Sequence, residues 1–80
     1  MTEAFVLIRV GAGESWNFAK TVSDEVRKIN GVKEVYGVFG RYDLVVKMEG
    51  KTLEALGNLV ADHIRGIKGV ISTETLVIGF

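Results

Sequence analysis

The apolar positions along the chain repeat. Displacing the sequence by 38 residues aligns its two halves without a gap: Val22 falls on Val60, Asp24 on Asp62, Arg27 on Arg65, Ile29 on Ile67, Gly31 on Gly69 and Val32 on Val70. The run Val6-Leu7-Ile8-Arg9-Val10 falls on Leu44-Val45-Val46-Lys47-Met48 and matches it in character at every position. Two copies are too few for a solenoid, which needs about three stacked units to bury a continuous core.

Each copy reads as strand, helix, strand. Phe5 to Val10 and Leu44 to Met48 have the length and the β-branched and aromatic composition of strands. Gly11-Ala12-Gly13-Glu14-Ser15 and Glu49-Gly50-Lys51-Thr52 follow them. Ser15 and Thr52 are candidate N-caps, because a hydroxyl accepts from the free amides of a first helical turn. Phe18, Val22, Val26 and Ile29 then form one helical stripe, and Leu53, Leu56, Val60, Ile64 and Ile67 form the other. Gly31 and Gly69 stand just past these helices, where a left-handed residue ends a helix, and new strands start at Val32 and Val70. A tight turn around Gly40-Arg41-Tyr42 makes the second and third strands a hairpin. The pattern predicts an α+β fold: a ferredoxin-like βαββαβ sandwich with a four-stranded antiparallel sheet and two helices on one face. With no break in composition over its 80 residues, the chain reads as one domain, 1–80.

The strand alternation leaves a surplus. Val6, Ile8 and Val10 form one set in the first strand, and Leu44, Val46 and Met48 the equivalent set in the third. If these face the helices, Phe5, Leu7 and Val45 lie on the opposite face, which is too apolar for water. The same face of a second subunit covers it most economically, in a two-fold dimer. A hydrophobic content of 48% in so short a chain points the same way.

Charge and composition exclude several roles. Ten Lys and Arg balance ten Asp and Glu, and the basic residues are scattered. No net basic face is available to displace counterions from nucleic acid, so no direct binding to it is expected. The absence of cysteine removes disulfides, thiolate zinc sites and a Cys nucleophile. No apolar run approaches the ~20 residues of a membrane span, and no basic leader with a cleavage site opens the chain, so a cytoplasmic location is expected. The Gly11–Ser15 stretch lies where phosphates bind, between a strand and a helix, but it lacks both the P-loop ending and the dinucleotide spacing. His63, beside Asp62, is the only histidine and has no second histidine for a metal site, so neither a metal nor a cofactor is expected.

The hairpin carries a resemblance. Val38-Phe39-Gly40-Arg41-Tyr42-Asp43-Leu44-Val45-Val46-Lys47 resembles the Gly-x-Tyr-Asp hairpin of the Lrp/AsnC effector domain, also called the RAM domain. Ile29-Asn30-Gly31-Val32-Lys33-Glu34-Val35 resembles that family's helix end and second strand. Ile67-Lys68-Gly69-Val70 and Ser72-Thr73-Glu74-Thr75-Leu76-Val77 resemble its last helix end and final strand. The resemblance covers essentially the whole chain, in the expected order.

It implies dimers of the dimeric α/β-barrel type, joined through their sheets and assembled into octamer-like rings, with amino acid effectors bound between neighbouring dimers. Full-length members bind DNA through an N-terminal helix-turn-helix domain, whereas this sequence opens on the first strand of the effector domain. The expectation is a sensing and oligomerisation module, not an enzyme, that binds an amino acid or co-assembles with full-length regulators.

Carried over residue by residue, the resemblance places the ligand site at Gly40, Arg41, Tyr42 and Asp43 in the hairpin, and at Thr73 and Thr75 in the last strand. The chemistry suits an amino acid. Backbone amides beside Gly40 can approach a carboxylate closely, Arg41 can clamp it, Asp43 can pair with an ammonium, and threonine hydroxyls both donate and accept. Each residue also has a purely structural reading: a positive φ for Gly40, turn hydrogen bonds for Asp43, packing at a subunit contact for Tyr42 and strand propensity for the threonines. Two other functions share this fold. One is a cofactor-free monooxygenase built around Trp16, Asn17 and His63, and the other is an ACT-like regulatory module.

Overall fold

Alternate residues along the middle of the first and third strands, Ala4, Val6 and Ile8 and then Leu44, Val46 and Met48, are sealed from solvent, which fixes the side of the sheet on which the helices lie. A computed structural model describes residues 1–11 and 16–80, with residues 16–18 described by their backbone alone. Its elements are β1 (Thr2–Val10), α1 (Trp16–Arg27), β2 (Val32–Gly37), β3 (Leu44–Gly50), α2 (Leu53–Leu59) and β4 (Val70–Val77). α2 runs on into a π-helical turn, Val60–Ile64. The strands lie in the order β2-β3-β1-β4, and all neighbours are antiparallel. This is the ferredoxin-like βαββαβ sandwich that the repeat predicts.

Ala4, Val6 and Ile8 of β1 and Leu44, Val46 and Met48 of β3 form the floor of the core. Val35 joins them from β2, Val22 and Val26 from α1, and Leu56, Val60 and Ile64 from the second helix. Each fully buried aliphatic side chain contributes about 1.5–3 kcal/mol relative to exposure, so this layer is the main source of stability. α1 packs on β2, and α2 packs on β3 and β1. The opposite sheet face carries half-buried Phe5, Leu7 and Val45, together with Tyr36 at 51% and Leu76 at 48% exposure. The apolar surplus is therefore larger than the sequence alone suggests.

Backbone geometry preserves the repeat. Gly31 and Gly69 both have φ of +104°, the left-handed conformation that ends each helix before the next strand. Thr52 caps α2 as expected, its hydroxyl accepting the Ala55 N–H at 3.0 Å. Ser15, the Gly11–Ser15 stretch beyond Gly11, and the side chains of Trp16, Asn17 and Phe18 lie outside the described residues.

Three expectations need correction. Leu53 is 61% exposed and does not belong to the second stripe. Leu56, at 1% exposure, is the residue of the first turns that packs inward, with its Cγ 3.1 Å from where a Cβ on Gly50 would stand. The connection between β2 and β3 is not a tight turn; it spans residues 38–43, because Asp43 turns its backbone N–H away from the hairpin to the Ile8 carbonyl of β1, at 2.9 Å. β1 begins at Thr2, before Phe5, and β3 continues to Gly50, because Thr2 pairs with Gly50 and Ala4 with Val77. Among the described residues no helix is long and apolar enough to cross a membrane.

Candidate functional site

Asp43 fastens the hairpin to the middle of the sheet. Its backbone N–H donates to Ile8 O at 2.9 Å, and its carbonyl accepts the Val38 N–H at 2.9 Å. Its carboxylate Oδ2 accepts the Val10 N–H at 2.7 Å. The carboxylate therefore has a structural role, towards a strand-end amide and not a turn amide. Beyond this anchor the tip is open: Gly40 has φ of +144°, and no atom lies within 4 Å of where its Cβ would stand. A glycine is needed there by the backbone conformation and not by crowding. Arg41 is exposed, and Phe39 is 90% exposed.

Tyr42 reaches across β1. Its hydroxyl donates to Glu74 Oε1 on β4 at 2.5 Å. That bond raises the phenol above its ordinary value, with smaller contributions in the same direction from desolvation and the Glu74 charge. The Arg41 and Arg9 guanidinium groups act in the opposite direction on the same hydroxyl. Glu74 pairs with Leu7, so this polar group borders the apolar open face of the sheet.

The two threonines lie elsewhere. Thr73 pairs with Ile8 and Thr75 with Val6, both core residues, which puts the threonines on the helix side of edge strand β4. Thr73 is half-buried and Thr75 exposed. The structure therefore gathers Gly40, Arg41, Tyr42 and Asp43 at one end of the sheet. It sets Thr73 and Thr75 on the opposite face of β4 from the Tyr42–Glu74 bond. A cleft of about 580 Å³ opens between Thr21, Val22 and Glu25 of α1 and Asp62, His63, Gly66, Ile67 and Lys68. A second, of about 530 Å³, extends past Asn30, Glu49 and His63. Neither contains any of the six residues.

Sequence reasoning passed over Glu74, although it stands between the two threonines it singled out. No local signal marks it: polar Ser72 shares its face of β4, and it meets Tyr42 only through the register that sets it opposite Leu7. His63 is exposed, and among the described residues no group of three His, Cys, Asp or Glu side chains is placed to hold a metal.

Comparison with known proteins agrees with this architecture. Residues 3–78 match the Lrp/AsnC ligand binding domain. An uncharacterised HTH-type transcriptional regulator of Pyrococcus furiosus is 41% identical over 76 residues, covering 95% of this chain and 50% of that protein. The chain thus spans about half the length of the curated relatives it matches. The crystal structure of TTHA0845 from Thermus thermophilus superposes with a TM-score of 0.88 at 36% identity, covering 100% of this chain and 95% of that one. The transcriptional regulator NMB0573 of Neisseria meningitidis, crystallised as a complex with L-Met, shares the fold at a TM-score of 0.84 and 16% identity, over 99% of this chain and 50% of that one. With a family match running from the first strand to the end of the last, the chain belongs to the Lrp/AsnC ligand-binding domain family.

Proposed function

We propose that the chain is a sensing and oligomerisation module whose effector is an amino acid, and that it catalyses no reaction. The observation that carries this reading is the anchored hairpin. Three hydrogen bonds through Asp43 hold its base, while Gly40 and Arg41 stay open to solvent. A pre-ordered loop of this kind loses little entropy when it closes on a ligand. Arg41 and the amides beside Gly40 suit a carboxylate, and the free lone pairs of Asp43 suit an ammonium.

The separation of Thr73 and Thr75 from Tyr42 within one chain fits a site completed by a neighbouring copy. In this reading two chains join through their open sheet faces, covering Phe5, Leu7, Tyr36, Val45 and Leu76, and the dimers assemble further into an octamer-like ring. A fold relative crystallised with L-Met supports the ligand class. The even charge balance leaves DNA to full-length helix-turn-helix regulators, with which this domain co-assembles.

The test is a thermal-shift screen against the twenty amino acids, with assembly size followed by light scattering. A ligand at about 100 times its dissociation constant adds about 2.7 kcal/mol per site. In a domain of this size that raises the melting temperature by roughly ten degrees or more. A selective shift accompanied by a change in assembly is the expected result. A flat response to all twenty from protein free of bound ligand would overturn the sensing role.

A further inference from the structure

The two copies of the repeat treat their charges differently. In the first helix Asp24 pairs with Arg27, Oδ1 to Nη1 at 3.3 Å, and Glu25 with Lys28, Oε2 to Nζ at 3.2 Å. Displacement by 38 residues carries Asp24 to Asp62, Arg27 to Arg65 and Lys28 to Gly66. The second helix thus keeps an aspartate and an arginine at the same spacing, yet no ion pair joins them. The π-helical turn Val60–Ile64 accounts for the difference. The Arg65 N–H donates to Val60 O at 2.9 Å, five residues back, and the wider turn changes how side chains three apart face each other. Among the described residues the Asp62 carboxylate has no hydrogen-bond or ion-pair partner.

Asp62 lines the cleft of about 580 Å³ between α1 and the second helix. Glu25 lines it from α1, Val22 and Ile67 give it an apolar wall, and Lys68 and His63 complete its charged groups. With His63 neutral, two carboxylates against one ammonium leave the lining net negative. We propose that this cleft binds a small organic cation, an ammonium carried on a short hydrocarbon chain, as in the aliphatic polyamines.

Charge and apolar surface together select this occupant. A carboxylate released from its helical partner by a π turn gains a charge-assisted hydrogen bond from an ammonium, and π turns recur at functional sites. Glu25 is held only by an exposed surface pair with Lys28, which contributes little and exchanges readily for a ligand. Val22 and Ile67 suit methylene groups and offer nothing to a hydrated metal ion, for which no group of three ligating side chains is placed among the described residues.

Gly66 points the same way. Its φ lies outside the left-handed region, and a Cβ there would meet only the Asp62 carbonyl oxygen, at an ordinary 3.8 Å. Neither backbone conformation nor crowding within the chain accounts for a missing side chain at this point of the cleft. A ligand lying over the helix does. The cleft contains none of the hairpin residues, so this inference is independent of the effector reading, and either can fail without the other.

The test is a titration of the isotope-labelled chain with putrescine at low ionic strength, followed by backbone amide shifts. Saturable shifts centred on Val22, Asp62, Gly66 and Ile67 are expected. Ammonium chloride at matched ionic strength lacks the chain and should leave them in place. Asp62→Asn should weaken binding by about fivefold or more. Gly66→Leu fills the cleft without a clash inside the chain and should abolish binding. Asp24→Asn removes an equal charge from outside the cleft and should bind as the wild-type chain does. Asp62→Asn changes almost no volume, so it carries the test even where the leucine disturbs the fold. The absence of saturable shifts, an equal response to ammonium chloride, or equal losses in the Asp24 and Asp62 variants overturns the proposal.

Discussion

The backbone N–H of Val10 donates to the Asp43 carboxylate at 2.7 Å, joining positions 33 residues apart. One side chain thus docks the hairpin on the end of β1 and is also the candidate partner of an effector ammonium. Two variants separate these roles. Asp43→Ala leaves the Val10 N–H without its acceptor and should destabilise the fold by about 1–3 kcal/mol in urea denaturation. Asp43→Asn keeps an oxygen for Val10 and removes only the charge. It should melt close to the wild-type chain and lose the amino acid shift. A full shift in the Asn variant would place ammonium recognition on another residue.

The Tyr42–Glu74 bond predicts an alkaline transition. A bonded neutral phenol gives Tyr42 a folded-state pKa above its ordinary value near 10. Its contribution to stability is therefore complete below about pH 10 and is lost as pH rises through the raised value. Tyr36 is raised as well, chiefly by the charge of Glu34. In a titration of phenolate absorbance both tyrosines should ionise late, and Glu74→Ala, which removes the acceptor, should bring forward only one of them. Unchanged curves for the Ala variant would mean that the bond does not form in solution.

Two aliphatic residues of the second helix should respond in opposite ways. Ile64 is 0% exposed and closes the core beneath the π-helical turn, so Ile64→Ala should cost about 2–5 kcal/mol, enough to unfold much of a small domain. Leu53 stands 61% exposed at the start of α2, so Leu53→Ala should stay within about 0.5 kcal/mol. Chemical denaturation of the pair checks the placement of the helix. Equal losses would show that Leu53 is covered in the working assembly.

A second contrast lies between two glycines. At Gly31 φ is +104°, and an added Cβ would stand 3.0 Å from the Glu49 carbonyl oxygen and 3.1 Å from Leu59 Cδ1. Gly31→Ala should therefore lower stability by about 1–2 kcal/mol or more. Gly57 lies within α2 with nothing near its Cβ position, so Gly57→Ala should raise stability by about 0.5–1 kcal/mol. Melting temperatures of the two variants should move in opposite directions.

Much of the fold was legible because the signals were local. Period-two alternation marked Val6, Ile8, Leu44 and Val46 as core, and each is at most 1% exposed. Gly31, Gly69 and Thr52 announced helix ends through their own backbone and hydroxyl chemistry. The errors arose where a residue's state depends on a distant partner. Thr2-Glu3-Ala4 is a weak strand sequence and is a strand because Gly50 and Val77 lie alongside it. Leu53 fits a helical stripe but stands exposed at the start of α2, while Leu56 packs inward over Gly50.

The site was harder to read for the same reason. The hairpin residues Gly40 to Asp43 cluster as a sequence neighbourhood must. Glu74 meets Tyr42 only because β1 lies between β3 and β4 in one particular register, and no local pattern encodes that. The opposite orientation of Thr73 and Thr75 likewise follows from their pairing with Ile8 and Val6.

The central position of β1 also bears on how copies of the chain become entangled. Phe5 pairs with both Lys47 and Leu76, so the first strand made has one edge bare until the last strand is complete. Pairing between such distant segments forms slowly, and a bare edge accepts any matching strand within reach. At high local concentration, β4 of one nascent molecule can fill the edge of another, reproducing every native backbone bond in exchanged form. An oligomer that refuses to come apart on dilution would then record the order in which its strands met.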